Sequence, residues 1–221
     1  MTIRGAIFDL DGTLLDSTGM WDELDGRYLR SLGRQPLDDL SEKLHPLTML
    51  QAAELIRSEY SLTKSPEEIM AEIISLAEEF YRSEVQLKRG AEQLLKRLNE
   101  AGIPMCVCTA NDRRLTLAAL ERLGVMKYFR GCLTCGEYGG KDSEGIFLAA
   151  ARLLETAPAQ TAVFEDSLHA LTTAKNAGFI GVAVYDRGES RTEQLRQTAD
   201  IFVDSPDEFV TKRLENGTIT A

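Results

Sequence analysis

Short runs of apolar, β-prone residues punctuate this chain, separated in its second part by stretches where apolar residues return every three or four positions. The runs fall at Ile3–Phe8, Pro104–Thr109, Gly131–Thr134, Thr161–Phe164, Phe179–Val184 and Ile201–Val203. The helical patterns cover Ala91–Ala101, Arg113–Leu123, Glu144–Thr156 and Leu168–Ala177. Gly102, Gly124 and Gly178 stand just beyond three of them, where a helix C-terminus favours glycine. Strand and helix in alternation predict a parallel sheet covered by helices on both faces. Residues 16–86 break this rhythm. They hold no convincing strand but show amphipathic stretches around Trp21–Leu32, Leu47–Tyr60 and Pro66–Arg82. Ser65-Pro66-Glu67-Glu68 is a helix start, with serine as cap, proline in the first turn and acids at the positive end of the helix. The pattern predicts an α/β core built from residues 1–15 and 87–221, with a helical domain, 16–86, inserted after the first strand.

Composition fits that division. The chain has 221 residues, 43% of them apolar, which is enough for one large core and a smaller insert. Its formal net charge of -10 disfavours nucleic acid and anionic membrane surfaces as partners, but not a small phosphorylated ligand held by local charge. No run of about 18 apolar residues is present, so no transmembrane helix is expected. The early apolar run is short and ends in acids, unlike a signal peptide, and a cytoplasmic protein is expected. Cys106 and Cys108 fall on a predicted buried strand, where cysteine acts as a small hydrophobe. Cys132-x-x-Cys135 has no second pair at ligand spacing and no thioredoxin-like surroundings, so a structural role is expected.

The ligand site of a parallel sheet lies at the carboxyl ends of its strands, and the polar residues of this chain gather there. The first run ends in Asp9-Leu10-Asp11-Gly12-Thr13. Residues two apart on a strand share a face, so Asp9 and Asp11 can converge. Two such carboxylates need a cation or a proton between them. Gly12 permits a tight turn, and Thr13 adds a hydroxyl. The second run ends in Thr109-Ala110-Asn111-Asp112, a hydroxyl and backbone amides opening a helix, which suits a phosphate and equally an ordinary helix cap. The fourth ends in Glu165-Asp166-Ser167. Adjacent buried acids are costly as a structural device, and a hard divalent cation such as Mg²⁺, with its preference for oxygen ligands, removes that cost. Lys141, after Gly139-Gly140, reads either as a solvated charge or as the fixed cation that acids and phosphate need.

Asp9-x-Asp11-Gly-Thr, after a hydrophobic strand and running on to Leu14-Leu15-Asp16-Ser17, resembles the first signature of the haloacid dehalogenase-like superfamily. Thr109 stands in the place of the second signature, Lys141 of the third and Phe164-Glu165-Asp166-Ser167 of the fourth, so the likeness spans residues 3 to 210. Two departures are visible: many relatives read Lys-Pro where this chain has Lys141-Asp142, and glycine where it has Ala170.

The resemblance implies a Rossmann-like core with an inserted all-α cap. It implies Asp9 as a nucleophile that becomes an aspartyl-phosphate and Asp11 as general acid and base. Thr109, Ala110, Asn111 and Lys141 would surround the phosphoryl group. Mg²⁺ would be held by Asp9, the backbone carbonyl of Asp11 and Asp166, with Glu165 assisting directly or through water. Asp11 argues against the dehalogenase and phosphonoacetaldehyde-hydrolase chemistries of the superfamily, which do without this acid. The expectation is a Mg²⁺-dependent phosphatase of a small phosphorylated metabolite. A β-phosphoglucomutase-like mutase is the alternative; a non-catalytic binding protein on the same scaffold is disfavoured by the full set of acids. Substrate contacts are expected in the cap at Trp21, Lys43 and His45, each of which also reads as packing, surface charge or loop. Neither the ester nor the oligomeric state is legible.

Overall fold

The computed structural model describes residues 2–44, 47–211, 214–215 and 218–219. Six parallel strands form one sheet: β1 (Gly5–Phe8), β2 (Met105–Thr109), β3 (Phe129–Thr134), β4 (Thr161–Glu165), β5 (Ile180–Val184) and β6 (Ile201–Val203), in the order β3-β2-β1-β4-β5-β6. Every residue of β1, β2, β4 and β5 is buried, as happens when helices cover both faces of a parallel sheet and the strands read as unbroken apolar runs. One face carries Ile7, Cys106, Cys108 and Val163 against Phe147 and Phe179. Its opposite face stacks Phe8 on Phe164 at 4.4 Å between ring centroids, with the Phe209 ring edge-on at 4.9 Å. All four cysteines are unbridged, and burial raises the Cys132 thiol to about 11, far from the reactive range.

The chain divides into two compact units, Met1–Thr18 with Val85–Ala221, and Gly19–Glu84. The second unit is helical. It contains most of α1 (Thr18–Ser31), then α2 (Leu40–Leu44), α3 (Met49–Glu59) and α4 (Pro66–Glu79). A π-helical stretch, Phe80–Glu84, ends the unit where the sequence pattern predicts plain α-helix to Arg82. Ser65 caps α4 as its sequence indicates: its hydroxyl accepts from the Glu68 amide at 3.2 Å, and the Glu68 carboxylate accepts from the Ser65 amide at 2.7 Å. Tyr28 and Lys64 both donate to Glu72, at 3.0 and 2.6 Å, tying α1 to α4.

In the first unit, helices α5 (Ala91–Glu100), α6 (Arg113–Arg122), α7 (Cys135–Tyr138), α8 (Gly145–Leu154), α9 (Leu168–Asn176), α10 (Thr192–Thr198) and α11 (Glu208–Thr211) fill the connections. Gly102, Gly124 and Gly178 close α5, α6 and α9 with φ of 71, 71 and 85°, the left-handed values that favour glycine. Leu214–Glu215 and Thr218–Ile219 pair as a separate antiparallel ribbon.

Candidate active site

The sheet places the acids. β1 ends at Phe8, and the Asp9 amide still donates to Phe164 O at 2.9 Å, so the backbone ladder extends one residue beyond the strand. That locks Asp9 beside the end of β4, whose last residue is Glu165. One carboxylate oxygen from each of Asp9, Glu165 and Asp166 falls within a cluster no wider than 4.8 Å. Asp9 and Glu165 are buried, at 7% and 1% exposure. Lys141, in the loop between α7 and α8, sends its ammonium to both Asp9 Oδ1 and Glu165 Oε1. The loop reading of Lys141 as a solvated surface charge is therefore overturned in favour of the fixed cation.

Three clustered carboxylates with one ammonium, which pairs with two of them, leave negative charge unbalanced, and the titration of the group reflects it. Burial pushes the Asp9 carboxyl from 3.8 up to about 6; Glu165 adds to the rise, and Lys141 only partly offsets it. Burial, then the charges of Asp9 and Glu165, raise Asp166 well above the usual carboxylate range. Burial opposes the charge on Lys141, but Asp9 and Glu165 outweigh it and raise the ammonium above its ordinary value. An all-oxygen donor set with surplus negative charge fits a hard divalent cation and would suit neither zinc nor copper especially well.

Asp11 stands apart from this cluster. Its two oxygens accept from Ser17 Oγ at 2.7 Å and from Asn111 Nδ2 at 3.1 Å. Gly12, at φ 77°, makes the turn beyond it; a Cβ there would lie 2.3 Å from Asp166 Oδ2, so only glycine fits. Thr13 follows and donates to Asp166 Oδ1 at 3.2 Å. Thr109 ends β2, fully buried, and its hydroxyl oxygen accepts from the Asn111 amide at 3.0 Å, which leaves the hydroxyl hydrogen to donate elsewhere.

The phosphate loop expected at 109–112 is more self-satisfied than its sequence indicates. Asn111 Oδ1 accepts from the Asp112 amide at 2.8 Å, and Asp112 accepts from the Arg114 and Leu115 amides as the cap of α6. Asn111 is thus a partner of Asp11 as much as a member of the loop, while Ala110 is exposed beside it.

The cap candidates belong to the helical unit. Trp21 is 43% exposed and its indole N–H donates to Tyr81 Oη at 3.2 Å. Lys43 pairs with Asp39 at 3.1 Å and Glu59 at 3.2 Å. His45 lies outside the described residues. Two charged neighbours of the Asp11 turn escaped the sequence reading. Asp186, just past the end of β5, obeys the same strand-end rule that found the other acids. Lys88, whose ammonium reaches Asp186 Oδ2 at 2.6 Å, sits in a segment with no comparable signal.

Comparison with known proteins matches the family model described as haloacid dehalogenase-like hydrolase to residues 3–178. The chain belongs to the haloacid dehalogenase-like hydrolases. Within that family its relatives include phosphoric monoester hydrolases, and it takes its place among them. Validoxylamine A 7'-phosphate phosphatase of Streptomyces hygroscopicus subsp. limoneus is 31% identical over 81% of this chain and 84% of the relative. Hexitol phosphatase A of Escherichia coli is 27% identical over 99% of both. A solved structure from Thermotoga maritima, provisionally described as a beta-phosphoglucomutase, superposes with a TM-score of 0.84 at 23% identity, covering 95% of this chain and 98% of the other. That likeness establishes the fold. Among the described residues, no helix is long and apolar enough to cross a membrane.

Proposed function

We propose that this haloacid dehalogenase-like hydrolase removes phosphate from a small phosphorylated metabolite with Mg²⁺ bound, through an aspartyl-phosphate on Asp9. The observation that carries this reading is the division of the acids: Asp9, Glu165 and Asp166 cluster together, the first two sharing the Lys141 ammonium, while Asp11 is held separately by Ser17 and Asn111. One group of acids suits charge neutralisation, and the separate acid suits proton transfer.

Asp9, Asp166 and the backbone carbonyl of Asp11, with Glu165 assisting, would hold the cation. When bound, the cation supplies positive charge that offsets the repulsion between carboxylates and phosphate. A carboxylate oxygen of Asp9 attacks phosphorus as the ester oxygen leaves, and Asp11 gives that oxygen its proton. Asp11, now ionised, takes a proton from the water that attacks the aspartyl-phosphate, which frees Asp9 and inorganic phosphate. The Thr109 hydroxyl, Ala110 and the Lys141 ammonium hold the phosphoryl oxygens, and Asn111 serves chiefly by orienting Asp11. Phosphoryl transfer depends on this kind of positioning and electrostatic support more than on covalent chemistry by the protein.

The helical unit is proposed as the cap that selects the ester. Relatives named for validoxylamine phosphate and hexitol phosphates favour polyhydroxylated phosphate esters as the substrate class. Unbridged cysteines and an acidic surface support a reducing, cytoplasmic setting with small metabolites rather than nucleic acid as partners.

The test is a phosphate-release screen of sugar, polyol, glycolate and nucleotide monoesters, with Mg²⁺ or with chelator, run beside Asp9→Asn. Release that needs Mg²⁺ and vanishes in the variant is expected. Inactivity on every ester, or activity that survives Asp9→Asn, would sink the proposal. Conversion of β-glucose 1-phosphate to glucose 6-phosphate without net phosphate release would replace it with a mutase.

A further inference from the structure

The turn that carries Asp11 is gripped by a lysine that belongs to none of the strand-end motifs. Residues 14–16 run beside 86–88: the Asp16 amide donates to Gln86 O at 3.0 Å, and the Lys88 amide to Leu14 O at 2.7 Å. The Lys88 side chain then reaches back over the turn. Its ammonium donates to Gly12 O, to Tyr185 O at 2.6 Å and to Asp186 Oδ2 at 2.6 Å. Those three acceptors match the three donors of an ammonium group. Asp186 is fixed in turn, its other oxygen accepting from Thr18 Oγ1 and from the Gly188 amide, both at 2.8 Å. The side chains are 15% and 5% exposed, so this is an enclosed ion pair rather than a surface one.

The geometry makes the grip relevant to the reaction. Gly12 O is one residue from Asp11. On its other side, the Gly12 Cα is packed so closely that an added Cβ would meet Asp166 Oδ2 at 2.3 Å and Asp186 Cγ at 3.3 Å. A turn that slides therefore carries Asp11 with it, and Lys88 ties that turn to the end of β5. A buried ion pair is a poor choice for stability alone, because apolar side chains would hold two loops together at least as well.

We propose that Lys88 and Asp186 are positioning residues for the phosphatase reaction: the Lys88 ammonium, bridging Gly12 O, Tyr185 O and Asp186, holds the turn so that Asp11 stands where the leaving oxygen is protonated. This inference rests on the reading of Asp11 as the proton carrier. It separates from that reading through the leaving group. The p-nitrophenolate of p-nitrophenyl phosphate departs without a proton, whereas an aliphatic alkoxide does not.

Lys88→Met, Lys88→Arg, Asp186→Asn and Asp11→Asn are compared on p-nitrophenyl phosphate and on the aliphatic phosphate ester that the native enzyme turns over fastest. Lys88→Met should lower kcat on the aliphatic ester by about 10- to 100-fold and leave its KM within about threefold, because ångström-scale misplacement of a catalytic group costs on that order. On p-nitrophenyl phosphate the loss in kcat/KM, which reports only the steps up to departure of the leaving group, should stay within about threefold, since general acid assistance contributes little there; kcat itself can fall on both esters, because Asp11 also serves the shared hydrolysis of the aspartyl-phosphate. Lys88→Arg should recover part of the aliphatic rate, and Asp186→Asn should show the same leaving-group bias in smaller degree. If Lys88→Met does not fold, Lys88→Arg and Asp186→Asn are judged by that bias alone. Equal losses in kcat/KM on both esters, a change confined to KM, or rates like those of the native enzyme would overturn the clamp. An Asp11→Asn enzyme without leaving-group bias would instead remove the reading beneath it, and the clamp with it.

Discussion

Asp9 shows how one residue can tie stability to chemistry. Its carboxyl lies at about 6 in the folded protein against an ordinary 3.8, chiefly because it is buried. The folded state therefore keeps a proton that the unfolded chain has released across that interval. Stability from this group is fully present below the unfolded value and is lost as the pH rises through the folded one. For the metal-free protein this loss falls between about pH 4 and pH 6. Urea unfolding in chelator should show a steeper fall in the native protein than in Asp9→Asn, where the raised Asp166 remains; superimposable pH profiles would contradict it. Saturating Mg²⁺ should stabilise the native protein more strongly at pH 7 than at pH 4, because the cation competes with the proton for the same carboxylates.

At Gly12, substitution by alanine meets both a left-handed φ of 77° and the Asp166 carboxylate at 2.3 Å. Gly12→Ala should weaken Mg²⁺ binding by about tenfold or more in calorimetry, since distorting the groups that set a metal's ligands costs on that order. Unchanged affinity would show that Asp166 is no ligand.

Among the elements, the sheet and the long helices were legible because their signals are local and repeated. Each central strand is buried on both faces and so reads as an unbroken apolar run; α4 announces itself through Ser65, Pro66 and Glu68. Ser65→Ala should cost about 1 kcal/mol, and Phe164→Ala, which empties the stack between Phe8 and Phe209, about 3 to 5 kcal/mol in equilibrium unfolding. Comparable losses at the two positions would mean that the shared core does not dominate. The short helices α2, α7, α10 and α11 span four to seven residues, too few for a 3.6-residue period to establish itself. The π-helical end at Phe80–Glu84 was equally hidden, because a change from i+4 to i+5 hydrogen bonding leaves the apolar pattern intact.

At the scale of the molecule, the strand order is what turns scattered motifs into one site. β1 lies between β2 and β4, so Asp9, Thr109 and Glu165 end on neighbouring strands although 100 and 156 positions separate the latter two from Asp9. Their convergence was legible once a parallel sheet was inferred, because all strands then deliver their ends to one edge. Lys88 was not. It reaches the site from a segment that pairs, among the described residues, through an isolated bridge, Leu15 with Leu87, and no periodicity marks such a contact. The resemblance already implied a role for Asp11 apart from Asp9, Glu165 and Asp166; what lay beyond the sequence was how Asp11 is held, by Ser17 and Asn111, 6 and 100 positions away.

The central claim is that Asp9 becomes phosphorylated during turnover, and borohydride trapping tests it most directly. Borohydride reduces an aspartyl-phosphate to homoserine, which peptide mass spectrometry reads at single-residue resolution. Trapping during steady-state turnover of the best ester with Mg²⁺ should convert residue 9 to homoserine, and omission of either ester or Mg²⁺ should leave it aspartate. Turnover with residue 9 unmodified, or with homoserine at another aspartate, would contradict the account.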